Sequence, residues 1–140
     1  MIRVVFDTSV LYSAVFKQTG LPAAVFDLVF DGLVIPCASP AVLAEYREVL
    51  LERPALRPHR PRALKVLDSL SDVAIQVPPN QTLKISDHEE DNRFYECADA
   101  AGADYIVTGN TRHFRKSCKT TQIVNARQLL ELLAGTHRRE

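Results

Sequence analysis

Short apolar segments alternate with amphipathic helical segments along the chain, and this alternation constrains the fold more than any other feature. The apolar segments are predicted to be strands, at residues 2–6, 33–38, 74–77, 104–109 and 122–125. Strands that alternate with helices return to one sheet by right-handed crossovers and therefore run parallel. The sequence predicts an α/β fold, a five-stranded parallel sheet with helices on both faces.

The helical segments have recognisable ends. They are predicted at residues 9–18, 21–31, 41–53, 63–73, 87–101 and 126–135, with a short helical turn at 111–117 and a loop or turn at 53–62. Ser39 is a predicted N-cap, a capping box at Ser86 or Asp87 opens the fifth helix, and Gly102 ends it. Residues 1–135 are expected to form one domain, and residues 136–140 a short tail.

Composition limits the class of protein. The 140 residues carry a formal net charge of zero, so any basic surface must be local. No segment approaches the roughly 20 apolar residues of a membrane span, and residues 1–10 lack the apolar h-region and the small-residue cleavage site of a signal peptide. The three cysteines are widely spaced and odd in number, which indicates free thiols in a cytoplasmic protein.

Acidic residues at one edge of the predicted sheet form the candidate site. The carboxyl ends of parallel strands and the starts of the helices that follow them share this edge. The polar residues predicted to meet there are Asp7, Glu45, Asp91 and Asn110. Asp104 stands at the start of its strand, at the opposite edge of the sheet, and Asp99 lies about 12 Å along the helix from Asp91, so neither should belong to the site.

Three converging carboxylates would repel one another unless a cation joined them. Oxygen ligands without nearby His or Cys suit Mg²⁺ or Mn²⁺, and such sites commonly act on phosphodiesters. Each residue also has a simpler interpretation: Asp7 as a helix cap, Glu45 as a solvated helix residue, Asp91 as a helix-dipole partner and Asn110 as a turn residue. The helix dipole is the better account of Asp87, Glu89 and Glu90, although Asp87 is kept as a supporting residue.

Three landmarks in the sequence resemble the PIN domain, in particular the VapC-like toxins of type II toxin–antitoxin systems. They are residues 4–15, 43–54 and 90–114, in that order, and the resemblance covers nearly the whole chain. It implies a three-layer α/β/α fold and an endoribonuclease that depends on Mg²⁺ or Mn²⁺. It also implies a homodimer that is inhibited by a cognate antitoxin.

The resemblance assigns roles to individual residues. Asp7, Glu45 and Asp91 would hold the metal, while Asn110 stands where the family has a fourth acid. Ser9 resembles the small hydroxyl residue that supports the family's site. The residues expected to contact the RNA substrate are Ser9, Thr108, Arg112, His113, Arg115 and Lys116.

Two basic segments are candidate contacts for RNA phosphates. One spans residues 53–65 and contains no acid, and the other spans residues 112–119 beside Asn110. Both have a simpler interpretation as solvated surface, and the second is favoured because it adjoins the predicted site.

Two other classes of protein fit the residues less well than a nuclease. A haloacid-dehalogenase phosphatase needs a second Asp where Ser9 stands, and a receiver domain needs an acidic pair before Asp7. The main alternative is a catalytically weak or inactive PIN module that binds RNA or protein, because Asn110 lacks a charge.

Overall fold

The computed structural model describes residues 1–114 and 116–138, with side chains through residue 135. Its sheet has five strands in the order β3-β2-β1-β4-β5, and every neighbouring pair is parallel. The strands are β1 (Ile2–Phe6), β2 (Val34–Ala38), β3 (Ile75–Gln76), β4 (Tyr105–Val107) and β5 (Gln122–Val124). The predicted parallel sheet is confirmed, with the first strand of the chain at its centre.

Helices flank the sheet in a three-layer α/β/α arrangement. They are α1 (Thr8–Phe16), α2 (Leu21–Phe30), α3 (Pro40–Glu52), α4 (Arg60–Val73), α5 (Glu89–Ala101) and α6 (Ala126–Arg138), with a 3₁₀ helix at Pro54–His59. Within the described residues, no helix is both long and apolar enough to cross a bilayer.

Several predicted boundaries were wrong. Helix α6 continues past Gly135 to Arg138, because a glycine inside a helix costs only about 1 kcal/mol and does not end it. The proline-rich segment forms the 3₁₀ helix and the first turn of α4, since Pro61 occupies a position near the helix start where its missing N–H is not needed. The predicted helical turn is formed at residues 111–113, where the His113 and Phe114 N–H groups donate to the Asn110 carbonyl, but it does not include residues 116 and 117.

The start of α5 also differs from the prediction. His88 is the N-cap and its side chain makes no capping hydrogen bond, so the capping box at Ser86 or Asp87 is not formed. The buried Asn92 replaces it: Asn92 Oδ1 accepts hydrogen bonds from the backbone N–H groups of Ile85 and Ser86 at 3.0 and 2.8 Å. Asn92 Nδ2 donates to the Ser86 carbonyl at 3.1 Å. Gly102 does end the helix, as predicted, and its φ of 61° is the left-handed conformation that glycine adopts readily at a helix end.

The core surrounds β1, whose Val4, Val5 and Phe6 are at most 1% exposed. All three cysteines are free and buried, as predicted for free thiols. Burial raises the pKa of Cys97 to about 12, so its thiol stays protonated at neutral pH.

Tyr46 connects three elements within this core. Its hydroxyl donates a hydrogen bond to the carbonyl of Phe6, the last residue of β1. Its ring lies 6.3 Å from that of Phe94 on α5, centroid to centroid. Tyr46 is 2% exposed, so the hydroxyl and the carbonyl satisfy each other away from water. This one side chain fixes α3 and α5 relative to the end of the central strand.

We expect Tyr46→Phe to lower the free energy of unfolding by about 1–3 kcal/mol, because the buried Phe6 carbonyl would lose its partner. Urea titration followed by circular dichroism measures this change. Tyr105→Phe, at a half-buried tyrosine of β4, is the matched control and should change stability by less than about 0.5 kcal/mol. Equal effects of the two substitutions would contradict a structural role for the Tyr46 hydroxyl.

Candidate active site

A cleft of about 790 Å³ opens at the carboxyl edge of the sheet. It contains all four residues predicted to meet there. The residues that line it are Asp7, Thr8, Ser9, Tyr12, Ser13, Glu45, Glu48, Val49, Glu52, Arg53, Glu90, Asp91, Asn110 and His113. Asp99 and Asp104, which were predicted to lie elsewhere, are absent from this lining.

Asp7 is fixed by hydroxyl groups. Ser9 Oγ and Thr108 Oγ1 donate to Asp7 Oδ2 at 2.6 and 2.8 Å. Asp7 occupies the N-cap position of α1, but its side chain makes no capping hydrogen bond. Its Oδ1 has no hydrogen bond with any described residue and remains available to a ligand. This geometry favours a functional role for Asp7 over the simpler interpretation as a helix cap.

The two hydroxyl residues are themselves held in place. Ser9 Oγ accepts from the Gly109 N–H at 3.0 Å, and Thr108 Oγ1 accepts from the Asn110 N–H at 2.9 Å. Thr108 is fully buried, so its position fits orienting Asp7 better than the predicted contact with substrate. Ser9 is half-buried and lines the cleft.

Glu45 is presented by α3, which begins where Ser39 Oγ accepts the Val42 N–H at 3.2 Å, as predicted for an N-cap. The buried face of α3 carries Val42, Tyr46 and Leu50, and the half-buried Glu45 borders that face.

Further acids follow Glu45 along the same side of α3. Glu48 and Glu52 are three and seven residues after it, and both line the cleft. The sequence prediction missed them, although this helical spacing was visible in the sequence.

Asp91 lies in the first turn of α5 and is 7% exposed. Its Oδ2 is buried and lacks a hydrogen-bond partner among the described residues. His113 Nδ1 is 3.4 Å from this oxygen, but the pair does not form a hydrogen bond. Thr8 Oγ1 is a second buried polar atom of the cleft that the described residues leave without a partner. Unpaired buried polar atoms are rare in folded proteins, and two at one cleft indicate room for a ligand or ion.

The electrostatics of the cleft agree with this interpretation. Burial raises the pKa of Asp91, and the charge of Asp7 raises it further. Burial likewise raises the pKa of Glu45, with contributions from Glu48, Glu90 and Asp7. The acids therefore destabilise one another's charged forms, and a bound cation would relieve this repulsion.

The described residues contain no group of three or more His, Cys, Asp or Glu side chains arranged to hold a metal ion directly. The donors nevertheless suit a hard cation that retains water, since they are carboxylate oxygens and one of them is buried and unpaired. Asp7, Glu45 and Asp91 would bind such an ion partly through water or after side-chain adjustment.

Asn110 lines the cleft directly beyond Thr108. Its backbone φ is not positive, since Lys119 is the only non-glycine residue with a positive φ in the described part of the chain. A need for unusual backbone geometry therefore does not explain an asparagine at this position.

A second cleft, of about 320 Å³, adjoins the first at His113, which lines both. The other residues that line the second cleft are Ile85, Ser86, Asp87, His88, Tyr95, Arg112 and Lys116. It thus contains three of the predicted substrate contacts, Arg112, His113 and Lys116. Arg115, another of the six predicted contacts, lies outside the described residues. Asp87 lies here and does not line the first cleft.

Asn92 is the positioning residue that the sequence prediction missed. Its four polar contacts, two through Oδ1 and two through Nδ2, fasten the polar loop before α5 to the residue next to Asp91. No pattern in the sequence separates this buried asparagine from a solvated one.

Comparisons with known proteins agree with the fold and its connectivity. An uncharacterized protein of Methanocaldococcus jannaschii is 34% identical over 112 residues, which cover 78% of this chain and 71% of that protein. The fold is similar to a chain in the crystal structure of VapBC2 from Rickettsia felis bound to a promoter DNA fragment (TM-score 0.60, 16% identity, 89% of this chain and 98% of that one). It is equally similar to a chain of DNA-bound VapBC from Salmonella typhimurium (TM-score 0.60, 15% identity, 90% and 99% covered). The sequence model of the PIN domain family matches residues 3–112. The chain belongs to the PIN domain family.

Proposed function

We propose that this protein is a metal-dependent endoribonuclease, the toxin of a type II toxin–antitoxin pair. The observation that carries the proposal is the convergence of Asp7, Glu45 and Asp91, from β1, α3 and α5, on one cleft. Membership of the PIN domain family supports a nuclease. The similar folds found in two VapBC complexes support the VapC-like assignment.

Each acid would contribute differently to the binding of Mg²⁺ or Mn²⁺. Asp7 offers Oδ1, because two hydroxyl groups occupy Oδ2. Asp91 offers its buried Oδ2, whose unpaired state a cation would relieve. Glu45 would complete the set from α3. When bound, such an ion would supply charge stabilisation and an activated water for attack on a phosphodiester.

Asn110 would add a neutral carbonyl oxygen where a carboxylate would have strengthened the cation site. This favours tight binding of one cation over two, since each further divalent ion needs further negative charge.

The basic side of the second cleft would hold the phosphates that flank the cleaved one. Arg112 and Lys116 are exposed there, and His113 bridges the two clefts. Phosphate contacts of this kind position a nucleic acid without reading its sequence. We include Arg115 in this surface on the basis of its sequence position alone.

The proposal extends to partners and location. A cognate antitoxin would inhibit the enzyme, and the protein would act as a cytoplasmic homodimer. Support for the antitoxin comes from the VapBC complexes, each of which contains a chain with a similar fold. A small gene beside this one, encoding a protein that co-purifies with it, would support the pairing further.

The second candidate function is that of a PIN module that binds RNA or protein without cleaving it. The neutral Asn110, and the lack of a preassembled three-ligand group among the described residues, favour this alternative. The cleavage assay described below separates the two functions.

We expect Mg²⁺ or Mn²⁺ to raise the melting temperature of the wild-type protein, because binding to the folded state stabilises it by mass action. Asp91→Asn should abolish this shift. In EDTA, Asp91→Asn should itself raise the melting temperature by about 2–4 °C, since it removes a buried charge that Asp7 disfavours. Differential scanning fluorimetry measures both effects.

The matched control for this experiment is Asp68→Asn, at an exposed residue of α4 outside the cleft. It should leave the metal-induced shift intact. A full metal shift in the Asp91→Asn protein would remove Asp91 from the cation site.

Asp7→Asn and Asp91→Asn should each reduce cleavage of single-stranded RNA in Mn²⁺ by about 100-fold or more. Cleavage is followed on a labelled RNA by gel electrophoresis, with EDTA and Asp68→Asn as controls. If the wild type and both variants cleave at the same rate, or not at all, the binding module is the better description.

Asn110→Asp tests whether position 110 belongs to the site. A fourth carboxylate should lower the melting temperature in EDTA, by repulsion, and raise it in Mg²⁺ above that of the wild type. Isothermal titration calorimetry should show tighter binding of Mg²⁺. Unchanged affinity would place Asn110 outside the coordination sphere.

A further inference from the structure

Three rings form a row that leads away from the acidic cleft. Tyr12 on α1 lines the cleft, and Phe16 lies one helical turn further along. Their rings are parallel to within 7°, with centroids 6.2 Å apart. His59, at the end of the 3₁₀ helix, lies 5.7 Å from the Phe16 ring in an edge-on arrangement. We call Tyr12, Phe16 and His59 the aromatic strip.

Phe16 is unusual among the aromatic residues of the fold because 52% of it is exposed. It contacts the rings of Tyr12 and His59, and the rest of its surface faces solvent. Phe30 on α2 is similarly exposed, at 54%, and also packs on one neighbouring ring, that of Phe26. Neither phenylalanine lines the cleft itself, but Phe16 packs on Tyr12, which does, whereas Phe30 packs on Phe26, which does not.

A basic segment borders the aromatic strip. Residues 53–65 include four arginines and one lysine but no acid. The segment is docked on α1: Arg62 donates from Nε and Nη2 to the Ala14 carbonyl at 3.0 and 2.8 Å, and Leu56 is 1% exposed. Arg53 and Arg57 are exposed, and Arg53 also lines the acidic cleft.

Exposed aromatic rings beside arginines are the chemistry with which proteins bind single-stranded nucleic acid. The rings stack on unpaired bases, and the guanidinium groups contact the phosphates. Bases inside an RNA duplex are already stacked and would not reach Phe16. The strip begins in the cleft, so a strand bound there could continue along α1 without a break.

We propose that the aromatic strip is a stacking site for unpaired bases of single-stranded RNA, next to the acidic cleft at Tyr12 and separate from the second cleft that Arg112 and Lys116 line. This rests on the proposed function, since it makes the strip an extension of the substrate path. It selects single-stranded RNA that is longer than the acidic cleft alone would hold.

The alternative to RNA is that a partner protein, or a second copy of the chain, binds the exposed Phe16. Aromatic residues and arginines are both enriched in protein interfaces, so the residue types alone do not separate the two occupants. The continuity with the cleft argues for the nucleic acid. The experiments below include an outcome for the protein partner.

The chain contains no tryptophan, so Phe16→Trp introduces a single fluorophore into the strip. We expect single-stranded RNA of about 12 nucleotides, titrated in EDTA to prevent metal-dependent cleavage, to quench its emission by stacking. An abasic oligomer of equal length, with the same phosphates but no bases, should not quench it. Phe30→Trp is the matched control and should respond to neither.

Phe16→Ala should weaken binding of the same RNA by about 5- to 150-fold, measured by fluorescence anisotropy. Its affinity for the abasic oligomer should equal that of the wild type, because the phosphate contacts remain. Phe16→Tyr should bind as the wild type does. Circular dichroism and the melting temperature should report an unchanged fold, since Phe16 is half exposed.

Two results would overturn the inference. One is equal RNA affinity of the wild type and Phe16→Ala together with no quenching in Phe16→Trp. The other is a change of oligomeric state on Phe16→Ala, seen by light scattering, without a change in RNA affinity, which would assign Phe16 to a protein interface. These measurements need no catalysis. Base-dependent quenching would support the stacking site even if the protein cleaves no RNA, and cleavage without quenching would support the nuclease but not the stacking site.

Discussion

The hydrogen bond from the Tyr46 hydroxyl to the Phe6 carbonyl is the interaction on which the rest of the site depends. Each of its partners adjoins an acid in the sequence: Phe6 precedes Asp7, and Tyr46 follows Glu45. Phe94, which packs on the Tyr46 ring, lies three residues after Asp91. A buried tyrosine whose hydroxyl has one partner holds β1, α3 and α5 in a fixed relation. The three carboxylates are thus brought together by contacts in the core, although they repel one another.

The acidic cleft is therefore a strained electrostatic arrangement on a well-packed support. The raised pKa values of Glu45 and Asp91 record the cost of burying the acids and bringing them together, which Arg53 offsets in part at Glu45 and His113 at Asp91. At Asp7, two hydroxyl groups stabilise the carboxylate by hydrogen bonds. Such an arrangement is stable as part of a larger fold whose core tolerates the repulsion. Basic residues border it at Arg53 and, in the adjoining second cleft, at Arg112 and Lys116, so the zero net charge of the chain conceals a local separation of charge.

Most of the fold was predictable because alternating strand and helix patterns admit few topologies. The strands at residues 2–6 and 33–38 were located to within one residue, since both are buried and apolar. Features that depend on distant contacts were not predictable. The start of α5 is set by the buried Asn92 and not by a local capping box, and α6 passes through Gly135. Among the site residues, Asp7, Glu45, Asp91 and Asn110 were found from their edge of the sheet, whereas Asn92 gave no signal.

The sequence by itself determined the class of fold and the edge at which the polar residues would meet. Strand and helix periodicity, together with the handedness of crossovers, leave those two outcomes little freedom. Only the tertiary structure decided the state of each side chain: that Asp7 binds hydroxyls and does not cap α1, that Asp91 keeps an unpaired buried oxygen, and that Phe16 stays exposed beside the cleft. The physical reason is that hydrogen bonding and burial depend on neighbours up to a hundred residues away, as in the contact from Thr108 to Asp7.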